Sequence, residues 1–91
     1  MPIIEIYTGP YCAYCMRAKS LLKRKGLNFT EYNIHTEQAR RTEMLERSGG
    51  ARTIPQIFIN NRHIGGSDEL HAMERSGELE SVIRIRNNSL A

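Results

Sequence analysis

The chain has no apolar run long enough to cross a membrane, no tryptophan, only two cysteines, and no repeat, linker or low-complexity segment. Each absence narrows the reading. Without about 18–20 consecutive apolar residues there is no candidate membrane helix. The first residues, MPIIEIYTG, carry neither a basic leader nor a signal-length apolar stretch with a small-residue cleavage site, which predicts a cytoplasmic protein. Charge of one sign is also scarce. Thirteen Lys and Arg against ten Asp and Glu give +3, and the aromatics do not interleave with the basic residues, so no nucleic-acid partner is expected. Lys19, Lys23, Arg24 and Lys25 read instead as a solvated helix face. Two cysteines are too few for a disulfide framework, and closing a loop of about four residues restrains the unfolded chain by only ~2 kcal/mol. Zinc would need further ligands, yet His35, His63 and His71 do not fall at finger spacing with the cysteine pair, so no metal site is expected.

What is present fits one domain. The 91 residues, 40% hydrophobic and 25% charged, allow a single core over about residues 3–86 with a tail at 87–91. Residues 3–8 read as a strand that Gly9-Pro10 breaks just before Cys12. Residues 14–25 read as a helix with Cys15, Ala18, Leu21 and Leu22 on one side, ended by Gly26. A second strand lies within 27–34, and a connection of this length predicts a parallel pair. Thr36 is the expected N-cap of a helix reaching about Ser48, with a thin apolar stripe of Ala39, Met44 and Leu45. The continuous run Ile57-Phe58-Ile59 predicts a central strand covered on both faces. Asn60-Asn61 turns the chain into an edge strand over 62–64, and Ser67-Asp68 are the expected caps of a helix over 69–76. Gly77 interrupts it before a last helical stretch at 79–85, with fraying at 87–89. The order β-α-β-α-β-β-α predicts an α/β fold with a four-stranded mixed sheet and helices on both faces.

The cysteine pair carries the chemistry. In a chain with this strand and helix order, Cys-x-x-Cys favours a redox role over a staple. The nucleophile is the thiolate, and an ordinary cysteine with a pKa near 8.5 is only a few per cent ionised around pH 7. Cys12 lies where a strand gives way to a helix, and the unpaired N–H groups of a helix start favour negative charge. Cys15, one turn deeper and on the inward side, lacks that advantage. Residues three apart on a helix have Cβ atoms within about 5–6 Å, so a small adjustment at the cap lets the two sulfurs bond reversibly.

The segments Tyr11-Cys12-Ala13-Tyr14-Cys15, Arg52-Thr53-Ile54-Pro55-Gln56-Ile57-Phe58-Ile59 and Gly65-Gly66-Ser67-Asp68-Glu69-Leu70 together resemble the glutaredoxin family, particularly its small bacterial members with two active-site cysteines. The resemblance spans about residues 3–84 and implies a thioredoxin-like fold, in agreement with the element order. It implies an enzyme that exchanges disulfides with glutathione, with Cys12 and Cys15 catalytic. It also implies that Thr53-Ile54-Pro55 forms a loop beside the reactive cysteine with the Ile54–Pro55 bond cis, leaving the Ile54 backbone to pair with the cysteinyl part of glutathione. From the residues alone Pro55 is a simple strand start. Gly66, Ser67 and Asp68 are implied to receive the γ-glutamyl end, and Tyr14 to wall the groove. Without the family, the same residues read as a capped turn and an exposed helix residue.

Two positions depart from the family pattern. Ala13 stands where many members have Pro, which leaves open a [2Fe–2S] cluster shared with glutathione in a bridged dimer as an alternative function. Gly9 stands where members often carry a Lys that faces the glycine carboxylate of glutathione; Arg52 is the nearest replacement, with Arg17 behind it. A thioredoxin-like reductant is the remaining alternative, disfavoured by the absence of Trp before Cys12. The expected partners are glutathione and protein disulfides or glutathionylated proteins, with a monomer as the default state.

Overall fold

β1 (Ile4–Thr8) sends Ile4 and Ile6 to one side of the sheet and Tyr7 to the other, so a single short strand serves two cores. The structure, a computed structural model, describes residues 2–88. β1 is followed by α1 (Ala13–Arg24), β2 (Thr30–Asn33), α2 (Gln38–Arg47), β3 (Gln56–Ile59), β4 (Arg62–Gly65), α3 (Ser67–Ser76) and α4 (Glu78–Asn88). The four strands lie in the order β2-β1-β3-β4. β1 runs parallel to β2 and antiparallel to β3, and β4 returns antiparallel on the far edge. The mixed sheet and the interior position of β3 match the thioredoxin-like expectation. All four residues of β3 are buried, as a strand covered on both faces requires.

One face carries α1, α3 and α4. Ala18, Leu21, Leu22, Leu70, Leu79, Val82 and Ile83 pack there on Ile4, Ile6, Ile57 and Ile59. The other face carries α2, where Tyr7, Ile34, Met44 and Phe58 form a smaller cluster. No helix among the described residues is long and apolar enough to cross a membrane.

Several local expectations are corrected. α1 starts one residue early, at Ala13, with Cys12 as its N-cap. Lys19 and Lys25 are not simply solvated: Lys19 pairs with Glu31 at 3.0 Å, and Lys25 with Glu74 at 3.0 Å and Glu80 at 2.9 Å. Thr36 does not cap α2. Asn33 takes over the turn, its Oδ1 accepting from the N–H groups of His35 at 2.8 Å and Thr36 at 3.2 Å, and the cap position falls on Glu37. Of the stripe Ala39, Met44 and Leu45, only Met44 is buried and Ala39 is exposed. α3 starts at Ser67 rather than 69, so Ser67 and Asp68 occupy its first turn and Gly66 is the cap. Gly77, at φ +83°, ends α3 in the left-handed conformation that glycine tolerates. α4 continues through Asn88 rather than fraying at 87, and Ser89 lies outside the described residues.

Candidate active site

β1, an interior strand, ends at Thr8, residues 9–11 turn the chain, and α1 begins immediately, which places Cys12 on the helix's open N-terminus. Its backbone is extended, and its Sγ accepts from the Cys15 N–H at 3.1 Å, as the side chain of a capping residue does. One of the helix's orphan donors therefore points at the sulfur. Tyr11, just before it, is fully exposed and adopts φ +55°, uncommon for a residue with a side chain.

Cys15 has the opposite surroundings. It is 1% exposed among the α1 residues that face the sheet. Burial pushes its thiol up to about 12, with the hydrogen bond to Cys12 acting in the same direction and the Gly9 backbone opposing. Cys12 is thus half-buried at the helix start, and Cys15 is kept as a thiol beneath it.

The loop before β3 completes the site. The Ile54–Pro55 bond is cis, and the Ile54 carbonyl lies 3.8 Å from Cys12 Sγ. Gln56 braces this loop: its Nε2 donates to the Thr53 carbonyl at 3.0 Å, and its Oε1 accepts from His63 Nε2 at 2.6 Å. His63 stacks on Phe58 at 4.9 Å between ring centres. Gln56 was not singled out from sequence, although it directly follows Pro55, because its role depends on a partner in β4.

From this loop a groove of about 260 Å3 runs to the start of α3, lined by Tyr14, Thr53, Ile54, Pro55, Gly66, Ser67, Asp68 and Glu69. Seven of the eight expected ligand-binding residues thus meet in one place. Glu69 Oε1 accepts from the Gly66 N–H at 2.6 Å and holds the turn, a role sequence reasoning missed. A Glu three residues after a helix cap is the signal that could have found it. A Cβ on Gly66 would lie 3.4 Å from the Pro55 carbonyl oxygen, which shows how closely the two loops approach.

The eighth residue, Arg52, is exposed and does not line this groove. Arg17 lies on the far side of Tyr14, between α1 and α3. On the Gly9 side there is a pocket of about 360 Å3 lined by Gly9, Pro10, Ile34, His35, Gln38, Arg41 and Ile54. A Cβ on Gly9 would stand 2.8 Å from Ile54 Cδ1, so the Ile54 side chain fills the space a longer residue would take. Arg41, on the first turn of α2, is the cation of that pocket. The donors do not fit an iron–sulfur cluster within one chain: among the described residues no three His, Cys, Asp or Glu converge, and Cys12 is the accessible thiol.

The sequence model of the glutaredoxin family matches residues 4–64. The chain is 48% identical over 84 residues to glutaredoxin 3 of Escherichia coli, covering 92% of this chain and 100% of the other. It is 47% identical over 83 residues to a glutaredoxin of Pseudomonas aeruginosa, covering 91% and 98%. Among solved structures it superposes on glutaredoxin from Brucella melitensis with a TM-score of 0.75 at 49% identity, covering 89% and 87%. It also superposes on a buckwheat glutaredoxin–glutathione complex with a TM-score of 0.80 at 29% identity, covering 90% and 76%. The chain belongs to the glutaredoxin family, and its chemistry is that of a thiol–disulfide oxidoreductase.

Proposed function

We propose that this glutaredoxin uses glutathione to reduce glutathione mixed disulfides and protein disulfides, with Cys12 as nucleophile and Cys15 as resolving thiol. The observation that carries the reading is the placement of Cys12 Sγ: it caps α1 and stands 3.8 Å from the carbonyl of Ile54, a residue that lines the groove ending at the start of α3. A tripeptide with a central cysteine and a charged end suits that path. The Ile54 backbone offers pairing for an extended segment, the first-turn N–H groups at Ser67 and Asp68 suit a carboxylate, and the Asp68 carboxylate suits an ammonium. The buckwheat relative is known in complex with glutathione. At the other end, Arg41 opposes the glycine carboxylate in place of the family's Lys, a better candidate than Arg52 because it shares a pocket with Gly9 and Ile54.

In the first route Cys12 thiolate attacks the glutathionyl sulfur of a mixed disulfide. The old S–S bond breaks, the protein sulfur leaves as thiolate and takes a proton, and glutathione remains on Cys12. A second glutathione thiolate attacks that glutathionyl sulfur, giving glutathione disulfide and restoring the Cys12 thiolate. With a protein disulfide, Cys12 first joins one substrate sulfur. Cys15 then gives up its proton and attacks Cys12 Sγ, releasing the reduced substrate and leaving a Cys12–Cys15 disulfide that two glutathiones reduce. Burial of Cys15 keeps its thiol protonated, pushed up to about 12, until the mixed disulfide on Cys12 calls on it.

The test is turnover of a glutathionylated peptide coupled to glutathione reductase. Cys12→Ser abolishes turnover, Cys15→Ser keeps it, and Arg41→Gln raises KM for glutathione about fivefold, the share of one exposed charge-assisted contact, with kcat little changed. Full activity in Cys12→Ser, or no activity in the wild type, would overturn the assignment.

A further inference from the structure

A second groove, sharing no residue with the glutathione groove, opens between α1 and α3 on the far side of Tyr14. Its volume is about 370 Å3, and Met16, Arg17, Ser20, Arg24 and His71 line it. It begins one turn from the nucleophile, where the Met16 N–H bonds to the Cys12 carbonyl and the Met16 side chain is 67% exposed. The Arg17 guanidinium lies 6.0 Å from the Tyr14 ring, at the border with the glutathione groove.

The charge of this groove is uncompensated. Lys19 on the same helix and Lys25 at its C-cap are ion-paired, whereas among the described residues neither Arg17 nor Arg24 has a carboxylate partner. The α3 side contributes no carboxylate: His71 donates from Nδ1 to the Ser67 carbonyl at 2.8 Å, and Glu74 is taken by Lys25. At about 1.5 Å of rise per residue, Arg17 and Arg24 lie roughly 8 and 18 Å along α1 from Cys12. An extended peptide covers those spans in about two and five residues.

We infer that this groove docks the acidic flank of a protein substrate, holding carboxylates about two and five residues from the substrate's reactive cysteine against Arg17 and Arg24, with an apolar contact on Met16. This rests on the proposed role of Cys12. It adds a preference that glutathione and small disulfides, which end at the other groove, do not sense.

The experiment compares two glutathionylated peptides that differ only in carrying Asp or Gln at the second and fifth positions on both sides of the cysteine. At low salt the wild type shows a kcat/KM about fivefold higher for the acidic peptide, the sum of two exposed ion pairs of ordinary strength, and the ratio falls toward one as salt is raised. The double variant Arg17→Gln/Arg24→Gln brings the ratio to about one while turnover of a glutathionylated small thiol is unchanged. Equal rates for both peptides in the wild type, or an intact preference in the double variant, overturn the inference. Absence of turnover with the small thiol in the wild type overturns the thiol-transfer reading itself, and the docking role with it.

Discussion

On the face of the sheet that carries α1, α3 and α4, eleven buried apolar residues interlock, from Ile4 and Ile6 to Val82 and Ile83. On the opposite face α2 contributes one fully buried apolar side chain, Met44, and the helix is tied down by a polar network. Arg47 donates to the Tyr7 hydroxyl at 2.7 Å and to Glu5 at 2.9 Å, and its guanidinium lies 4.1 Å from the centre of the Phe58 ring. The Tyr7 hydroxyl donates to Glu43, Arg40 donates to Glu43 at 3.1 Å, and Tyr32 donates to Glu5 at 3.0 Å. The difference bears on function. Cys12, the proposed nucleophile, caps the helix locked by apolar packing, whereas Arg41, the proposed carboxylate anchor, rides on a helix positioned by directional contacts that can be lost one at a time.

The largest effect belongs to the apolar face. Leu22 is 0% exposed in α1, and Leu22→Ala is expected to cost about 3 kcal/mol, a transfer loss plus a cavity the packed neighbours cannot close. Urea unfolding followed by circular dichroism measures it. On the polar face Arg47→Ala is expected to cost about 2 kcal/mol, less than the ~3–5 kcal/mol of breaking a fully buried pair, because its side chain is 23% exposed and Tyr32 still serves Glu5. Arg47→Met should recover roughly half of that loss by keeping the stem over Phe58. A cost for Arg47→Ala equal to or above that of Leu22→Ala would break the comparison and make the polar network the principal fastening.

The same contrast explains what could be read from the chain. α1 was legible because Cys15, Ala18, Leu21 and Leu22 recur at helical spacing, and β3 because Ile57-Phe58-Ile59 is continuous. The cysteine pair was legible as a motif local in sequence, whereas Thr53-Ile54-Pro55 and Gly65-Gly66 gained a site role only through the family resemblance. The α2 face was not. Tyr7 and Arg47 meet across 40 positions, and neither residue type announces a partner by period. α2 shows only one buried apolar position, so its stripe gave no guide to its face, and Asn33 did the work expected of Thr36. For the same reason Arg41 does not announce itself from sequence as a neighbour of Gly9, and only Arg52 and Arg17 stand out there as candidate cations. Gln56 and Glu69 were visible as letters, but their roles needed His63 and Gly66 in space.

The smallest effect is the most discriminating, because both faces carry a glutamate whose carboxyl is held below the usual range. Glu43, on α2, is lowered first by the Tyr7 hydroxyl and then by Arg40; Glu31, on β2, is lowered first by the Thr8 hydroxyl, with Lys19 assisting. A depressed folded-state pKa contributes stability above the unfolded value of about 4.3, and that contribution disappears as pH falls through the folded value. Both faces therefore weaken below about pH 4, and the wild-type curve alone cannot apportion the loss. Tyr7→Phe removes the leading donor to Glu43 and leaves the Thr8–Glu31 contact intact. Burial pushes the Tyr7 phenol up to about 12, so the hydroxyl stays protonated over the whole acid range and its own titration does not intrude. Unfolding free energies of wild type and Tyr7→Phe should differ most near pH 7 and converge between about pH 5 and 3, as Glu43 protonates and the missing hydroxyl ceases to matter. A difference that stays constant with pH would mean that the hydroxyl acts through Arg47 alone, and would move the acid sensitivity to Glu31 and the α1 face.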